Sequence, residues 1–320
     1  MNEKNIATVG LKDEYPDLEA VLRDAAHWVK VAADQGADLA VLPETINLLH
    51  HREDDAPLDH FALQDWRAET APLCELAAKA GISLVLPLLV QEAGVLANRF
   101  YVLERDGTEL GYYQKRVPAC GEQLAGVAPG ATAPILWEGL RIGGGICIDV
   151  YFPHHVFAPQ AEAGVDLFVI PSMTPGGNLL DASALTYGVP FVFAYSPWSR
   201  ILDRDARELA AGGYRSETLR AGFSTPLQQA TINFNAVTLF PDFNQDKLRD
   251  VQRHYGKQVR LRFDQSNCVF LLESRSADLS IHEIMRQFEL ISRRDYLAGL
   301  VAASTGQTGK PQRTLKGCTS

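Results

Sequence analysis

Apolar residues follow two different patterns along this chain. Short, nearly continuous apolar segments are typical of buried strands, whereas apolar residues that recur every three or four positions are typical of one helix face. We predict strands at Asn5–Leu11, Asp38–Leu42, Ile82–Val90, Tyr101–Glu104, Gly111–Gln114, Ile135–Leu140, Ile142–Ile148, Asp166–Ile170, Pro190–Ala194, Ala230–Leu239, Gln258–Phe263 and Cys268–Glu273. We predict helices at Asp17–Gln35, Leu63–Ala80, His155–Ala163, Leu180–Tyr187, Gln245–Tyr255 and from Ile281 onward.

This alternation of strands and helices is typical of the α/β class. Turn residues at Asp106–Gly107, at Glu138–Gly139 and inside Arg200–Leu209 indicate hairpins, so a purely parallel sheet is not expected. No linker rich in Pro, Gly or Ser interrupts the chain before Thr305, and residues 1–304 are therefore predicted to form one domain. The polar and basic segment 305–320 is predicted to be a flexible tail.

Composition and charge exclude several classes of protein. The 320 residues carry a formal net charge of −9, which does not favour binding to nucleic acid or to an anionic membrane surface. The longest apolar run, Ile82–Val90, is far shorter than the roughly 20 residues that span a bilayer. The first ten residues lack the features of a signal peptide, and the five cysteines form no CxxC pair. We therefore expect a cytoplasmic protein without a disulfide framework.

Common cofactor and nucleophile motifs are missing from the sequence. The first predicted strand is followed by GLKDEYP rather than the glycine-rich turn that binds a dinucleotide. The phosphate-binding pattern GxxxxGK[ST] and the serine-nucleophile pattern GxSxG do not occur. Any enzymatic chemistry must therefore come from another set of residues.

Three segments place a polar side chain at or just after the end of a predicted strand. They are Glu44 in LPET, Lys115 in YQKRVP and Cys147 in GGGICIDVYFP. Strand ends are the usual location of sites in α/β proteins. Taken singly, each residue has a simpler explanation: a carboxylate at a helix start, a solvated lysine and a cysteine packed in the core. Taken together, they provide a base, a cation and a nucleophile.

At these motifs the sequence resembles the nitrilase superfamily of carbon–nitrogen hydrolases. LPET resembles the glutamate motif of that family, YQKRVP its lysine motif, and GGGICIDVYFP its cysteine motif. The order of the three residues and their wide separation also agree. A second glutamate of the family corresponds to Glu122. The resemblance covers about residues 5–240 and leaves 241–304 as an extension. In that extension Ile281, Ile284, Met285 and Phe288 share a helix face that must pack against this subunit or another.

The resemblance implies an α-β-β-α sandwich and a homo-oligomer, a dimer or larger. It implies that Cys147 is the nucleophile, Glu44 the general base and Lys115 the cation that stabilises the developing negative charge. Glu122 would orient Lys115 and the substrate amide, and the backbone N–H of Ile148 would be a second donor to that charge. Neither a metal nor an organic cofactor is expected.

The residues after the nucleophile favour an amidase or a carbamoylase over a nitrilase. Nitrilases usually have Trp-Glu there, whereas this chain has Ile148–Asp149. We expect hydrolysis of a small linear amide or N-carbamoyl compound; the alternatives are a nitrile substrate, acyl transfer to another acceptor, or a scaffolding member without catalysis. Candidates for the pocket wall, for which core packing is the alternative, are Tyr113, Tyr151, Phe152, Met173 and Tyr195.

Overall fold

Two six-stranded mixed sheets contain most of the apolar segments of the chain. They belong to a computed structural model that describes residues 3–51, 57–130, 133–213 and 225–306. The first sheet contains β1 (Glu3–Val9), β2 (Leu39–Val41), β3 (Ser83–Glu92), β4 (Val95–Leu103), β5 (Glu109–Gln114) and β12 (Leu227–Asn233). The second contains β6 (Ile135–Trp137), β7 (Leu140–Gly144), β8 (Leu167–Ser172), β9 (Phe191–Tyr195), β10 (Ser199–Leu202) and β11 (Glu208–Gly212). Their orders are β12-β1-β2-β3-β4-β5 and β11-β10-β9-β8-β7-β6.

The two sheets pack face to face around one apolar cluster. Alternate residues of a strand point to opposite faces of its sheet. On β1, Ile6 therefore joins Leu167 and Val192 of the second sheet in this inner cluster, whereas Ala7 and Val9 belong to a different cluster on the outer face. Both faces of the central strands are thus buried, which explains their nearly continuous apolar sequences.

Helices cover the outer face of each sheet. On the first sheet lie α1 (Leu18–Asp34), the short α2 (Trp66–Glu69) and α3 (Ala71–Ala80). On the second sheet lie α5 (Pro153–Glu162) and α6 (Gly177–Tyr187), while the short α4 (Cys120–Leu124) follows β5 along the chain. This arrangement is an α-β-β-α sandwich, so the predicted fold class is confirmed. No helix within the described ranges is long and apolar enough to span a membrane.

A third sheet of three strands forms in the C-terminal part of the chain. It consists of β13 (Ala236–Leu239), β14 (Val259–Asp264) and β15 (Val269–Ser274), in the order β13-β15-β14. The chain also forms α7 (Gln245–Tyr255), α8 (Ile281–Gln287) and α9 (Arg293–Ser304). Ile281 and Ile284 pack with Leu239 and Leu272 in one buried cluster, and Met285 and Phe288 border it. The apolar face of α8 therefore has a partner within its own subunit.

Three predicted elements differ from the structure. The predicted strand Ala230–Leu239 is two strands in different sheets, β12 and β13, because the chain turns at Asn233–Asn235, where the Asn235 N–H donates to the Asn233 side chain. The predicted helix over 63–80 is two helices that meet at Thr70, just before Pro72. The predicted strand over 142–148 ends at Gly144. Most of the predicted tail, residues 307–320, lies outside the described residues.

Gly144 at the end of β7 allows the two sheets to approach closely. A Cβ atom on Gly144 would lie 2.6 Å from Cζ of Phe100 and 2.7 Å from Cγ of Tyr113, both in the opposite sheet. These distances are shorter than any normal carbon–carbon contact. Glycine at this position therefore sets the separation of the two sheets at the end of β7, just before Cys147.

We expect Gly144→Ala to destabilise the protein by about 1–3 kcal/mol, the usual cost of overpacking a core. Urea unfolding at pH 7 would measure this change. Gly121→Ala is the control, because a Cβ atom there meets nothing within 4 Å. Equal free energies of unfolding for the two variants would contradict the close approach of the sheets.

Candidate active site

The three polar residues predicted from strand ends lie together in the structure. Glu44 follows β2, Lys115 follows β5, and Cys147 follows β7 after two further residues. Lys115 Nζ is 2.8 Å from Glu44 Oε1, and both side chains are buried. Glu44 and Lys115 are also close enough to the Cys147 thiol to shift its pKa. The first and second sheets together thus build one polar cluster.

Lys115 lies between two carboxylates. Its Nζ is 2.8 Å from Glu44 Oε1 and 2.7 Å from Glu122 Oε2. Burial disfavours the charged ammonium, but the two neighbouring carboxylates outweigh burial and raise the pKa of Lys115. Lys115 is therefore a permanent cation at neutral pH. The structure brings Glu122 into contact with Lys115.

Asn98 on β4 is a member of the cluster that the sequence analysis did not identify. Its Nδ2 donates to Glu44 Oε1 at 2.8 Å and to Glu122 Oε1 at 2.7 Å. Asn98 is buried, and its Oδ1 has no hydrogen-bond partner in the described part of the chain. The sequence does contain a signal for Asn98, because a polar residue at this position interrupts the apolar strand VLANRFYVL. Arg99 beside it interrupts the strand in the same way and contacts other residues, so the signal is not specific.

The two oxygens of Glu44 have different surroundings. Oε1 accepts hydrogen bonds from Asn98 and Lys115. Within the described residues Oε2 accepts one hydrogen bond, from the backbone N–H of Met173 at 3.0 Å. A carboxylate oxygen can accept two hydrogen bonds, so Oε2 retains a lone pair. Glu44 is therefore best able to take up a proton at Oε2.

Cys147 occupies a strained backbone position. Its φ of +50° lies in the left-handed region, which is uncommon for residues other than glycine. This conformation begins a short 3₁₀ turn at Cys147–Tyr151. Burial and the charge of Glu44 raise the pKa of the thiol, against the hydrogen bond of Thr174 and the charge of Lys115. The raised pKa favours the neutral thiol over the thiolate.

Asp149 ties the lysine segment to the cysteine segment. Its carboxylate accepts hydrogen bonds from the backbone N–H groups of Arg116, Val117 and Ile146, and from the Tyr113 hydroxyl at 3.0 Å. Asp149 is fully buried, which raises its pKa, while the N–H donors act in the opposite direction. The sequence analysis did not assign this residue a role, because its four donors come from two distant segments.

The predicted pocket residues differ in their exposure. Tyr113 is buried and uses its hydroxyl to hold Asp149, so its packing is that of a core residue. By contrast, Tyr151, Phe152 and Met173 are 58%, 41% and 48% exposed. Tyr195 is partly buried, and the charge of Cys147 is among the causes that raise its pKa after burial.

The backbone of this region adds further polar groups. Ile148, the residue directly after Cys147, is partly buried in the 3₁₀ turn. Met173 contributes its N–H to Glu44 rather than its side chain. No group of three or more His, Cys, Asp or Glu among the described residues is arranged to hold a metal ion.

Comparisons with known proteins point to one family. Residues 5–189 match the family model described as carbon–nitrogen hydrolase. The chain is 25% identical over 230 residues to an aliphatic nitrilase of Sinorhizobium fredii (strain HH103), which covers 62% of this chain and 73% of the nitrilase.

Solved structures share the fold at lower identity. A carbon–nitrogen hydrolase from Helicobacter pylori G27 has a TM-score of 0.62 at 16% identity and covers 79% of this chain and 93% of its own. An amidase from Nesterenkonia sp. has a TM-score of 0.59 at 21% identity and covers 79% and 96%. At these identities the likeness concerns the fold.

We expect Tyr113→Phe to lower the free energy of unfolding by about 0.5–1.5 kcal/mol, because Asp149 loses one of four donors. Asp149→Ala should cost at least twice as much, since it leaves three backbone N–H groups without their acceptor. Chemical denaturation of both variants measures the two losses in free energy of unfolding. Equal losses would mean that the carboxylate does not tie the two segments together.

We expect Lys115→Met to destabilise the protein at pH 7 by about 3–5 kcal/mol, because the buried carboxylate of Glu44 and the partly buried one of Glu122 then lack their cation. The pKa of Lys115 is raised on folding, so its contribution is fully present below the unfolded-state value of about 10.4 and is lost only at higher pH. Urea unfolding at several pH values should show a difference from the wild type that is constant up to about pH 10 and smaller above it.

Lys30→Met is the matched control for this measurement. Lys30 forms an exposed ion pair with Asp34, and such pairs are worth about 0–1 kcal/mol. If Lys115→Met cost no more than Lys30→Met, the buried ion cluster would not be the stabilising feature described here.

Proposed function

This chain belongs to the carbon–nitrogen hydrolase family, and from that premise we propose that it hydrolyses a small linear amide or N-carbamoyl compound through a thioester on Cys147. The observation that carries the proposal is the ion cluster of Lys115 with Glu44 and Glu122, in which the charges of Glu44 and Lys115 reach the thiol. This cluster supplies a base and a fixed cation beside a protonated nucleophile. Each of the three is needed for cleavage of a stable C–N bond.

The first half of the reaction forms the thioester. Glu44 Oε2 takes the proton of the Cys147 thiol, and Sγ attacks the carbonyl carbon of the substrate. The carbonyl oxygen becomes negative, and the Lys115 ammonium and the N–H of Ile148 stabilise it. Glu44 then gives its proton to the nitrogen as the C–N bond breaks. The leaving group is ammonia or an amine.

The second half returns the enzyme to its starting state. Glu44 takes a proton from a water molecule, whose oxygen attacks the thioester carbon. The C–S bond breaks, the acid is released, and the proton on Glu44 returns to the Cys147 thiolate. Every proton that Glu44 accepts is thus passed on within one cycle, so no external acid or base is consumed.

Glu122 and Asn98 act on Lys115 and Glu44 rather than on the bond that breaks. Glu122 pairs with Lys115 as a second carboxylate and orients the ammonium and the substrate amide. Asn98 donates to both carboxylates and keeps Glu44 Oε1 occupied, which leaves Oε2 as the proton acceptor. We infer that both are positioning residues for this chemistry.

Amides are favoured over nitriles by the residues after the nucleophile. Ile148–Asp149 stands where nitrilases usually have Trp-Glu, and Asp149 serves here to tie two segments together. For the Nesterenkonia amidase, one solved structure is described as showing covalent addition of the acetamide moiety of fluoroacetamide at the active site cysteine. A nitrile is the second candidate because of the likeness to the Sinorhizobium nitrilase.

Other expectations accompany this proposal. We expect one domain over residues 1–304, a homo-oligomer and a cytoplasmic location. The exposed side chains of Tyr151, Phe152 and Met173 are candidates for the walls that contact the acyl group. Acyl transfer is distinguished from hydrolysis by adding hydroxylamine, since a hydroxamate product would show that an amine competes with water for the thioester.

We expect the purified protein to release ammonia from at least one member of a panel of short amides, N-carbamoyl compounds and nitriles, and Cys147→Ala to abolish this release. The reason is that alanine cannot form the thioester. Ammonia is measured enzymatically, and the best substrate distinguishes amide from nitrile cleavage.

Cys268→Ala is the matched control, because Cys268 is an exposed cysteine on the third-sheet hairpin and should be silent. Ammonia release that persists in Cys147→Ala would refute the thioester mechanism. A panel without any active compound would refute the proposed substrate class.

A further inference from the structure

The hydroxyl of a threonine lies in contact with the sulfur of Cys147. Thr174 follows β8, and its Oγ1 is 3.2 Å from Cys147 Sγ. Within the described residues this is the one hydrogen bond of the Thr174 hydroxyl. The steps proposed above, in which Glu44 moves protons and Lys115 stabilises charge, make no use of it. Its position next to the reacting sulfur therefore calls for a function.

The backbone around Thr174 is held in place by a buried serine. Ser172 Oγ accepts from the Thr174 N–H at 3.1 Å and donates to the Thr174 carbonyl at 2.6 Å. Ser172 is 1% exposed. Between these residues, Met173 donates its N–H to Glu44 Oε2. One short segment thus presents a donor to the base and a hydroxyl to the nucleophile, with its geometry fixed by local hydrogen bonds.

We propose that Thr174 is a further catalytic residue. Its hydroxyl donates a hydrogen bond to the Cys147 thiolate, which stabilises the thiolate and orients its sulfur for attack. This inference rests on the proposed thioester function. In the resting thiol either atom can be the donor. After Glu44 has removed the proton, only the threonine hydroxyl has a hydrogen to give. Hydrogen bonds to an ionised acceptor are about twice as strong as neutral ones, so the contact stabilises the thiolate more than the thiol.

Charged and titratable groups around the sulfur act on the Cys147 thiolate in opposite directions. Glu44, at the end of β2, disfavours the thiolate, as burial does. Lys115, at the end of β5, favours it, and Tyr195 on β9 interacts with its charge. Two uncharged groups act with Lys115, the backbone N–H of Met173 and the hydroxyl of Thr174. Removal of the Thr174 hydroxyl should therefore raise the pKa of Cys147 further.

The same hydrogen bond should make the thiolate slightly less reactive. Nucleophilicity falls with thiol pKa with a Brønsted coefficient of about 0.4–0.5. For each pH unit by which the thiol pKa rises, the thiolate fraction at neutral pH falls tenfold, while the reactivity of that thiolate rises only about threefold. Loss of the hydroxyl should then slow the reaction of Cys147 about three- to fourfold per unit at neutral pH and accelerate it at high pH. The rate profiles of the wild type and of the variant should therefore cross as the pH rises. A merely structural role of Thr174 would not produce such a crossing.

The test measures how fast methyl methanethiosulfonate, a small neutral thiolate reagent, modifies Cys147 between about pH 6 and pH 11. Wild type, Thr174→Val, Thr174→Ser and Thr186→Val are compared. Peptide mass spectrometry reads Cys147 separately from the other free cysteines. Thr186 is an exposed threonine on α6, and its replacement controls for loss of a surface hydroxyl.

We expect the midpoint of the pH profile to move to higher pH in Thr174→Val, with the crossing described above, and to stay near the wild-type value in Thr174→Ser and Thr186→Val. An unchanged midpoint in Thr174→Val would overturn the proposal, and so would an equal shift in Thr174→Ser, which keeps the hydroxyl. If Thr174→Val does not fold, Thr174→Ala makes the same comparison.

The modification rate does not depend on turnover. Failure of the proposed function would appear as ammonia release that survives Cys147→Ala, or as a panel without active compounds. Failure of the Thr174 assignment would appear in the pH profile alone. The two outcomes can therefore be told apart.

Discussion

A buried ammonium held between two carboxylates is the interaction on which the rest of this structure depends. Taking Glu44, Glu122 and Lys115 out of water costs several kcal/mol per ion, and only close pairing with well-placed hydrogen bonds offsets that cost. Asn98 supplies two of these hydrogen bonds. Because this interaction occupies Glu44 Oε1, the other oxygen is left to exchange protons. The chemistry proposed for Cys147 follows from that asymmetry.

The sandwich brings together residues that no local structure could. Glu44 and Lys115 extend from the first sheet, and Cys147 from the second. The sheets must therefore keep a constant separation for the cluster to form. Gly144 permits the close approach, and the four hydrogen bonds to Asp149 join the lysine segment to the cysteine segment. Stability and site geometry thus rest on the same interface between the sheets.

Much of the fold could be predicted from local patterns, and the exceptions have physical causes. The helix Gln245–Tyr255 was predicted with the ends it has in the structure. By contrast, the single strand predicted over 230–239 is divided between two sheets, because the apolar pattern does not reveal where Asn233 and Asn235 turn the chain. Hydrophobic periodicity reports which face of an element is buried but not which sheet a strand joins.

By itself, the sequence determined the α/β class, the strand ends that bear Glu44, Lys115 and Cys147, and the resemblance that led to the family. These are properties of residue type and short-range spacing. Only the tertiary structure decided which groups are in contact. Asn98 contacts both glutamates of the ion cluster, Asp149 contacts the lysine and cysteine segments, and Thr174 contacts the sulfur of Cys147. The physical reason is that such contacts join residues far apart in the chain, as between Glu44 and Met173. Their geometry is set by how the two sheets pack and not by any local pattern.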